Sequence, residues 1–336
     1  MKKLYTLSIV FITALSFAQT YIPFTGTGAL NANGWTTHSG TGAQLTILTT
    51  PSDSGNSLSY PGLLASTGNR TSMIAGNGED VNFPLPATLT GTVYYSTLVK
   101  VLDDTQLNTN ASTGDYGLAF TSVASATTTN FQGRIYFKKG STAGTFVVGV
   151  LNNSGGTAAP TYISTDLTIN TTHLFVVKYD LATNTASLFV NPTPGSTEPA
   201  ANVTNTTGST AAPAQIAGYV IRQGGNGTAG TGNIELDEVR VANTWSAVTP
   251  QAVASANSNS ISGLTMYPNP LSGNTLYLTS TANAEMNVKI YNVLGKEVLS
   301  TKVNNTTVDV SDLASGVYMV KITEEGKTAT RKLVVK

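Results

Sequence analysis

Short runs of apolar residues with a period near two recur along most of the chain, separated by stretches rich in Gly, Asn, Thr and Ser. Between Gln19 and Val248 the runs fall at Gln44–Leu48, Val93–Val101, Tyr116–Thr121, Gly133–Phe137, Thr145–Leu151, His173–Tyr179, Ala186–Val190, Gln215–Arg222 and Ile234–Val241. Alternation of this kind predicts strands, and no window of helical length carries an i, i+3, i+4 apolar stripe. The expectation is an antiparallel two-sheet sandwich of ten or more strands. Phe146-Val147-Val148 and Leu174-Phe175-Val176-Val177 are continuous rather than alternating, as expected of strands covered on both faces. Thr171–Pro192 reads as two strands joined by a tight polar turn at Leu181–Asn184. In Ile234–Val241 the phase slips: Ile234 and Leu236 belong to one face, Val239 and Val241 to the other, so a β-bulge is expected at Asp237-Glu238.

The ends differ from this middle. Met1-Lys2-Lys3 precedes an apolar run from Leu4 to Phe17, which closes with small residues at Ser16 and Ala18. That is the pattern of a secretory signal peptide, 1–18, too short to serve as a membrane span, which needs about 20 apolar residues. No later stretch approaches that length, so no transmembrane segment is expected in the mature protein. Residues 249–262, TPQAVASANSNSIS, have neither charge nor aromatic and read as a linker. Beyond them, 263–336 is a second set of short strands at Leu276–Leu278, Met286–Tyr291, Val298–Val303, Gly316–Thr323 and Thr328–Val335, enough for a small β-sandwich. Gly295 is placed to take the positive-φ position of a hairpin turn. The domains expected are thus 1–18, 19–248, 249–262 and 263–336.

Composition narrows the chemistry. Only 11% of the 336 residues are charged, against the ~25% usual in soluble proteins, which suits a Thr- and Asn-coated extracellular surface. Basic and acidic residues number 18 each, so no basic field exists to hold nucleic acid. The balance is uneven: 19–250 carries 8 basic and 12 acidic groups, 251–336 carries 8 and 6. Absence of Cys removes disulfides, thiol catalysis and Cys-based zinc sites, and two His leave no His-rich metal site.

The order MYPNPLSG, VKIYNVLGKEV, VDVSDLASGVYMVKI and a terminal KLVVK, all within 263–336, resembles the type A sorting domain read by the type IX secretion system of Bacteroidetes. That resemblance implies handling by the type IX secretion machinery and release to the medium or display on the outer-membrane surface. The hairpin TTHLFVVKYDLATNTASLFVNP and the late strand GNIELDEVRVANTWS are similar to laminin-G-like, concanavalin-like jelly rolls. The fold class expected is therefore all-β, a concanavalin-like jelly roll followed by a small Ig-like β-sandwich. Such a fold hosts lectins, adhesive modules and glycan-active enzymes alike, so the function must be argued from a site.

Candidate sites are few. Retaining glycoside hydrolysis needs two carboxylates about 5 Å apart. Glu235-Leu236-Asp237 supplies one half of the Glu-x-Asp-x-Glu arrangement of concanavalin-like glycosidases, but Val239 and Arg240 stand where the second would be. Tyr136-Phe137-Lys138-Lys139-Gly140 is faintly like the YFKxG strand of alginate lyases, yet neither His38 nor His173 has the Gln two residues before it that those enzymes carry. Lys138 and Lys139 then read as a solvated strand end, and His173 as structural. No catalytic residue is assigned. Trp35, in a polar loop with His38, is a candidate for stacking on a sugar or a core plug. Calcium is the one metal the composition allows; jelly rolls of this type often hold one, and Asp237 is its candidate ligand among Glu79, Asp80, Asp103, Asp104 and Glu238. The function expected is non-catalytic binding of polysaccharide or cell-surface glycan, or adhesion. Neutral polysaccharide is favoured by the amide- and hydroxyl-rich surface. The alternatives are a hydrolase or lyase, or a structural surface or biofilm component without a ligand.

Overall fold

The computed structural model describes residues 19–76, 78–88, 90–109, 114–156, 158–225, 229–252, 260–304 and 306–336. The signal-peptide segment 1–18 lies outside the described residues, as does 253–259 of the linker. The chain forms two units, the first ending at Ala252 and the second starting at Val253.

The first unit is a sandwich of two antiparallel sheets. One has nine strands, ordered Val203–Asn205, Thr185–Val190, His173–Asp180, Thr92–Val101, Ile234–Ala242, Arg70–Met73, Thr46–Leu48 and Gly28–Ala29, with Thr20–Ile22 also paired to Ile234–Ala242. The other has eight, ordered Thr161–Tyr162, Thr145–Leu151, Phe131–Lys139, Asp115–Thr121, Ile216–Ile221, Asp80–Thr88 and Thr36–Ser39, with Leu167–Thr168 also paired to Thr145–Leu151. Their inner faces share one apolar core that includes Tyr95, Val99, Phe120, Phe137, Val148, Phe175, Val177, Tyr219 and Leu236. All nine runs of the sequence pattern are strands. The sandwich is a jelly roll, and the all-β expectation holds.

The two sheets differ on their outer faces. That of the nine-stranded sheet carries a second apolar cluster: Leu58 and Leu63 from a loop and Trp245 and Val248 from the short helix Trp245–Val248 pack on Tyr94, Leu98, Leu174, Val176 and Phe189. This explains the continuous run at 174–177: Phe175 and Val177 face the other sheet while Leu174 and Val176 face the loop and helix. The eight-stranded sheet has only a small outer cluster of Ala119, Phe131 and Val220 with Tyr116 against it. Around it stand polar, charged and tyrosine side chains, with Val147 and Leu151 opposite Lys138 and Arg134.

Eight of the seventeen strands lie outside the nine apolar runs, and two of these, Asp80–Thr88 and Arg70–Met73, have a neighbour on each side. Asp80–Thr88 contains Pro84 and Pro86, which lack the N–H a central strand needs. Thr36–Ser39 pairs only with Asp80–Asn82, so one edge of the strand is unpaired where the prolines stand. Arg70–Met73 is mostly polar and is held by Arg70, which pairs with Glu235 at 2.7 Å. The end of the first unit also lies later than the linker composition suggests. Thr249 is fully buried and donates through both its N–H and its hydroxyl to Trp245 O, Leu64 N–H donates to Pro250 O, and Ala252 N–H donates to Gly62 O.

The second unit has a three-stranded sheet, Thr265–Tyr267, Thr275–Thr279 and Thr307–Asp309, and a four-stranded sheet ordered Glu297–Val303, Met286–Asn292, Gly316–Glu324 and Lys327–Val335. Leu276, Leu278, Val288, Ile290, Val320, Ile322 and Leu333 form its core. Gly295 sits at φ +76° in the Asn292–Lys296 turn, where the Asn292 side chain accepts the N–H groups of Leu294 and Lys296.

Leu174→Ala and Phe175→Ala, neighbours on opposite faces, should each lower unfolding free energy by about 2–5 kcal/mol, measured by urea titration. A near-neutral Leu174→Ala would mean that the outer face is not packed.

Candidate functional site

The late strand bulges where the pattern slips. Asp237 is paired with Leu98 and Arg240 with Ser96, so Glu238 and Val239 together face Thr97, and Glu238 takes φ +54°. The extra residue lets Ile234 and Leu236 before it, and Val239 and Val241 after it, all enter the core between the sheets. It also turns three acids outward into protein. Glu235 pairs with Arg70. Glu238 pairs with Arg240 and accepts bonds from Tyr21 Oη and from Thr67 N–H, the latter at 3.2 Å; burial and the Glu238 bond push the Tyr21 hydroxyl up to about 12. Asp237, fully buried, accepts Leu58 N–H at 2.8 Å and Glu238 N–H at 2.7 Å. Burial pushes its carboxyl up to about 8.

This environment does not fit a calcium ion at Asp237. Calcium takes about six to eight oxygen ligands, whereas the groups that reach the two Asp237 oxygens are main-chain N–H donors. The other acids singled out by sequence are dispersed. Glu79 accepts from Asn31, Thr37 and Leu45 N–H; Asp80 accepts from Gln223 N–H; Asp103 accepts from Thr105 and Asn233; and Asp104 accepts from Gly144 N–H. Among the described residues no three His, Asp or Glu side chains group as a metal site.

Trp35 belongs to the core. It is 5% exposed, stacked on Phe24 at 5.9 Å and edge-on to Phe83 and Tyr219, so its sugar-sized surface is already used. Trp245 covers the outer face of the nine-stranded sheet, edge-on to Phe189 at 4.8 Å. His173 is buried between Phe146 and Phe175, with its ring nitrogens at Thr168 O and Asn191 Nδ2. Desolvation lowers its pKa, which keeps it neutral and structural.

The bare outer face of the eight-stranded sheet gathers the side chains left over. On Phe131–Lys139, Ile135 and Phe137 point into the core, so Arg134, Tyr136 and Lys138 share the outer face at every second position. Tyr116 on the next strand lies opposite Tyr136, their ring centroids 5.6 Å apart. Guanidinium groups from strands on either side approach the Tyr116 ring, Arg134 at 5.0 Å and Arg222 at 4.4 Å, in cation–π geometry. Lys138 lies 3.9 Å over the ring of Tyr162. Tyr162 can lie flat there because position 149 is Gly: a Cβ would stand 2.7 Å from its ring. At the far side His38 reaches Phe131, ring centroids 5.5 Å apart. Their strands are four steps apart in the sheet, about 19 Å if it were flat, so this face is concave. His38 Nδ1 is 3.2 Å from Asn82 Nδ2, and desolvation with the Arg222 charge lowers its pKa to about 4. His38 is therefore a neutral group at pH 7. Tyr116, Arg134 and Arg222 were not singled out by sequence; the Arg-x-Tyr-x-Lys alternation at 134–138 was the available signal.

Comparison with protein families identifies the second unit. Residues 265–336 match the family described as the secretion system C-terminal sorting domain. This unit is a type IX sorting domain, and the protein is exported to the cell surface or the extracellular space. No helix among the described residues is long and apolar enough to cross a membrane. No curated protein matches the chain. Similar solved structures include a sialidase (10% identity, TM-score 0.36, 68% of this chain and 19% of that one), the CBM2 module of an evolved Dit protein from Lactobacillus casei phage J-1 (11%, 0.40, 68% and 99%) and peanut lectin (11%, 0.32, 59% and 97%). The chain thus spans about a fifth of the sialidase's length.

Asp237 is ionised in the unfolded chain above about pH 4 but stays protonated in the folded one up to about pH 8. Its contribution to stability is therefore full below the unfolded value and is lost as pH rises towards 8. Unfolding free energy followed from pH 4 to 8 should contain a falling component that is absent in Asp237→Asn. EDTA should leave the melting temperature unchanged; a fall reversed by added calcium would restore the ion. Removal of residues 263–336 should strand the protein in the periplasm, read by cell fractionation, and surface arrival of the truncated chain would contradict the sorting role.

Proposed function

We propose that the exported jelly roll binds polysaccharide without cleaving it, using the concave outer face of its eight-stranded sheet. The observation that carries this reading is the line of tyrosines at Tyr116, Tyr136 and Tyr162, all partly exposed, with Arg134, Arg222 and Lys138 packed against two of their rings. Tyrosine suits a sugar because its apolar ring packs on the C–H face of a pyranose while its hydroxyl stays wet. Cations held against rings are pre-positioned hydrogen-bond donors, so little side-chain entropy is lost on binding. The concave shape lets a polymer touch several of these groups at once. Against hydrolysis stands the fate of the acids on the late strand: Glu235 and Glu238 are consumed by ion pairs and Asp237 is sealed under Leu58, so none is poised across a cleft from another.

A second reading, β-elimination on a glycan, is favoured by one observation: the same face holds a neutral imidazole at His38 beside tyrosines and arginines, groups able to move a proton and to steady a carboxylate. Binding and product analysis separate the two. Tyr136→Ala should weaken binding to a polysaccharide by about tenfold in affinity electrophoresis, with no new reducing ends or unsaturated sugars after long incubation of the wild type. Accumulation of unsaturated products, abolished by His38→Ala, would establish the lyase reading instead.

A further inference from the structure

The first unit has eight basic residues between 19 and 250, against twelve acidic ones. Five of the eight are matched to carboxylates elsewhere: Arg70 to Glu235 at 2.7 Å, Lys100 to Asp53 and Lys178 to Glu198 at 2.8 Å, Lys139 to Asp104 at 3.5 Å, and Arg240 to Glu238. The remaining three, Arg134, Lys138 and Arg222, all stand on the concave face, each within 5.0 Å of a tyrosine ring. Arg134 also donates to Phe131 O and Arg222 to Tyr116 O, and Arg222 lies 3.9 Å from Asp80. A unit that is acidic overall thus sets three of its eight basic residues side by side with tyrosines on one concave surface.

We infer that the polymer this face takes is anionic, its carboxylate or sulfate groups meeting Arg134, Lys138 and Arg222 while sugar rings lie on the tyrosines. The inference rests on the polysaccharide-binding reading above and replaces the neutral ligand expected from composition. Three physical points support it. The guanidinium of arginine presents parallel N–H donors that match a carboxylate or sulfate, and such charge-assisted bonds are about twice as strong as neutral ones. Arg134 and Lys138 are four residues apart on one strand, about 13 Å of backbone, which suits charges repeated along a chain better than one isolated anion. Partial burial of these cations against aromatic rings lowers the local dielectric, so an incoming anion is screened less than at an open surface.

The test compares polymers matched in backbone: polygalacturonate against its fully methyl-esterified form, and dextran sulfate against dextran, by affinity electrophoresis and calorimetry with the full mature chain. The charged member of at least one pair should bind at least about tenfold more tightly. Raising the salt from about 0.1 M to about 1 M, which shortens the screening length from about 10 Å to about 3 Å, should remove most of that preference. Arg134→Gln and Lys138→Gln should each cut binding of the charged polymer by about tenfold, while Lys139→Gln, one residue along and paired with Asp104, should not. Circular dichroism of each variant separates lost binding from lost fold. Equal binding within both pairs, or equal loss in Lys139→Gln, would overturn the anionic ligand and leave polysaccharide binding standing. Silence towards these four polymers and a wider neutral panel would overturn both.

Discussion

The architecture of the exported unit follows from an asymmetry of burial. Its nine-stranded sheet is covered on both faces, by the partner sheet on one side and by Leu58, Leu63, Trp245 and Val248 on the other. Its eight-stranded sheet is covered on one face only. At roughly 25 cal/mol per Å² of apolar surface removed from water, the second cover adds stabilising contacts to those of the core the two sheets share. The other sheet is thereby free to carry polar, aromatic and cationic side chains on its open face. The candidate site occupies the place where burial was not required.

The bulge at Asp237-Glu238 serves that division. Without it, either the first or the second half of the strand Ile234–Ala242 would turn charged residues into the core, because a strand's side chains alternate with period two. With it, the apolar residues on both sides face inward and the acidic side chains face outward, where Arg70, Arg240, Leu58 N–H and Thr67 N–H meet them. Breaking a buried pair of this kind costs about 3–5 kcal/mol. These acids hold the central strand to its neighbours and to the covering loop, and are not available for chemistry. The same pairings use up two of the unit's arginines, which makes the three cations on the concave face stand out.

The exported cargo and its address are separate units of this chain. The sorting unit has its own core and carries eight of the chain's basic residues against six acidic ones, while the jelly roll has a different charge balance and a self-contained fold.

Period-two runs in the sequence determined the strands and the slipped phase at 237–238 determined the bulge; the continuous run at 174–177 marks the sheet covered twice, whereas the similar run at 146–148 lies in the sheet with an open outer face, where Val147 stands opposite Lys138. Each is a local consequence of side-chain alternation, so a single stretch of chain suffices to read it. The strand through Pro84 and Pro86 was not legible, because only the pairing of its neighbours shows that one edge is unpaired. Nor was the role of Trp35, whose exposure depends on Phe24, Phe83 and Tyr219 arriving from elsewhere. The concave face was the least legible of all. Tyr116, Arg134, Lys138, Tyr162 and Arg222 lie in or directly after three strands of the sheet and a short edge strand, and their chemistry lies in who stands beside whom, which sheet order, curvature and the small residue at Gly149 decide. Sequence sets which way each side chain points along its own strand; only the closing of non-local pairs sets what it points at.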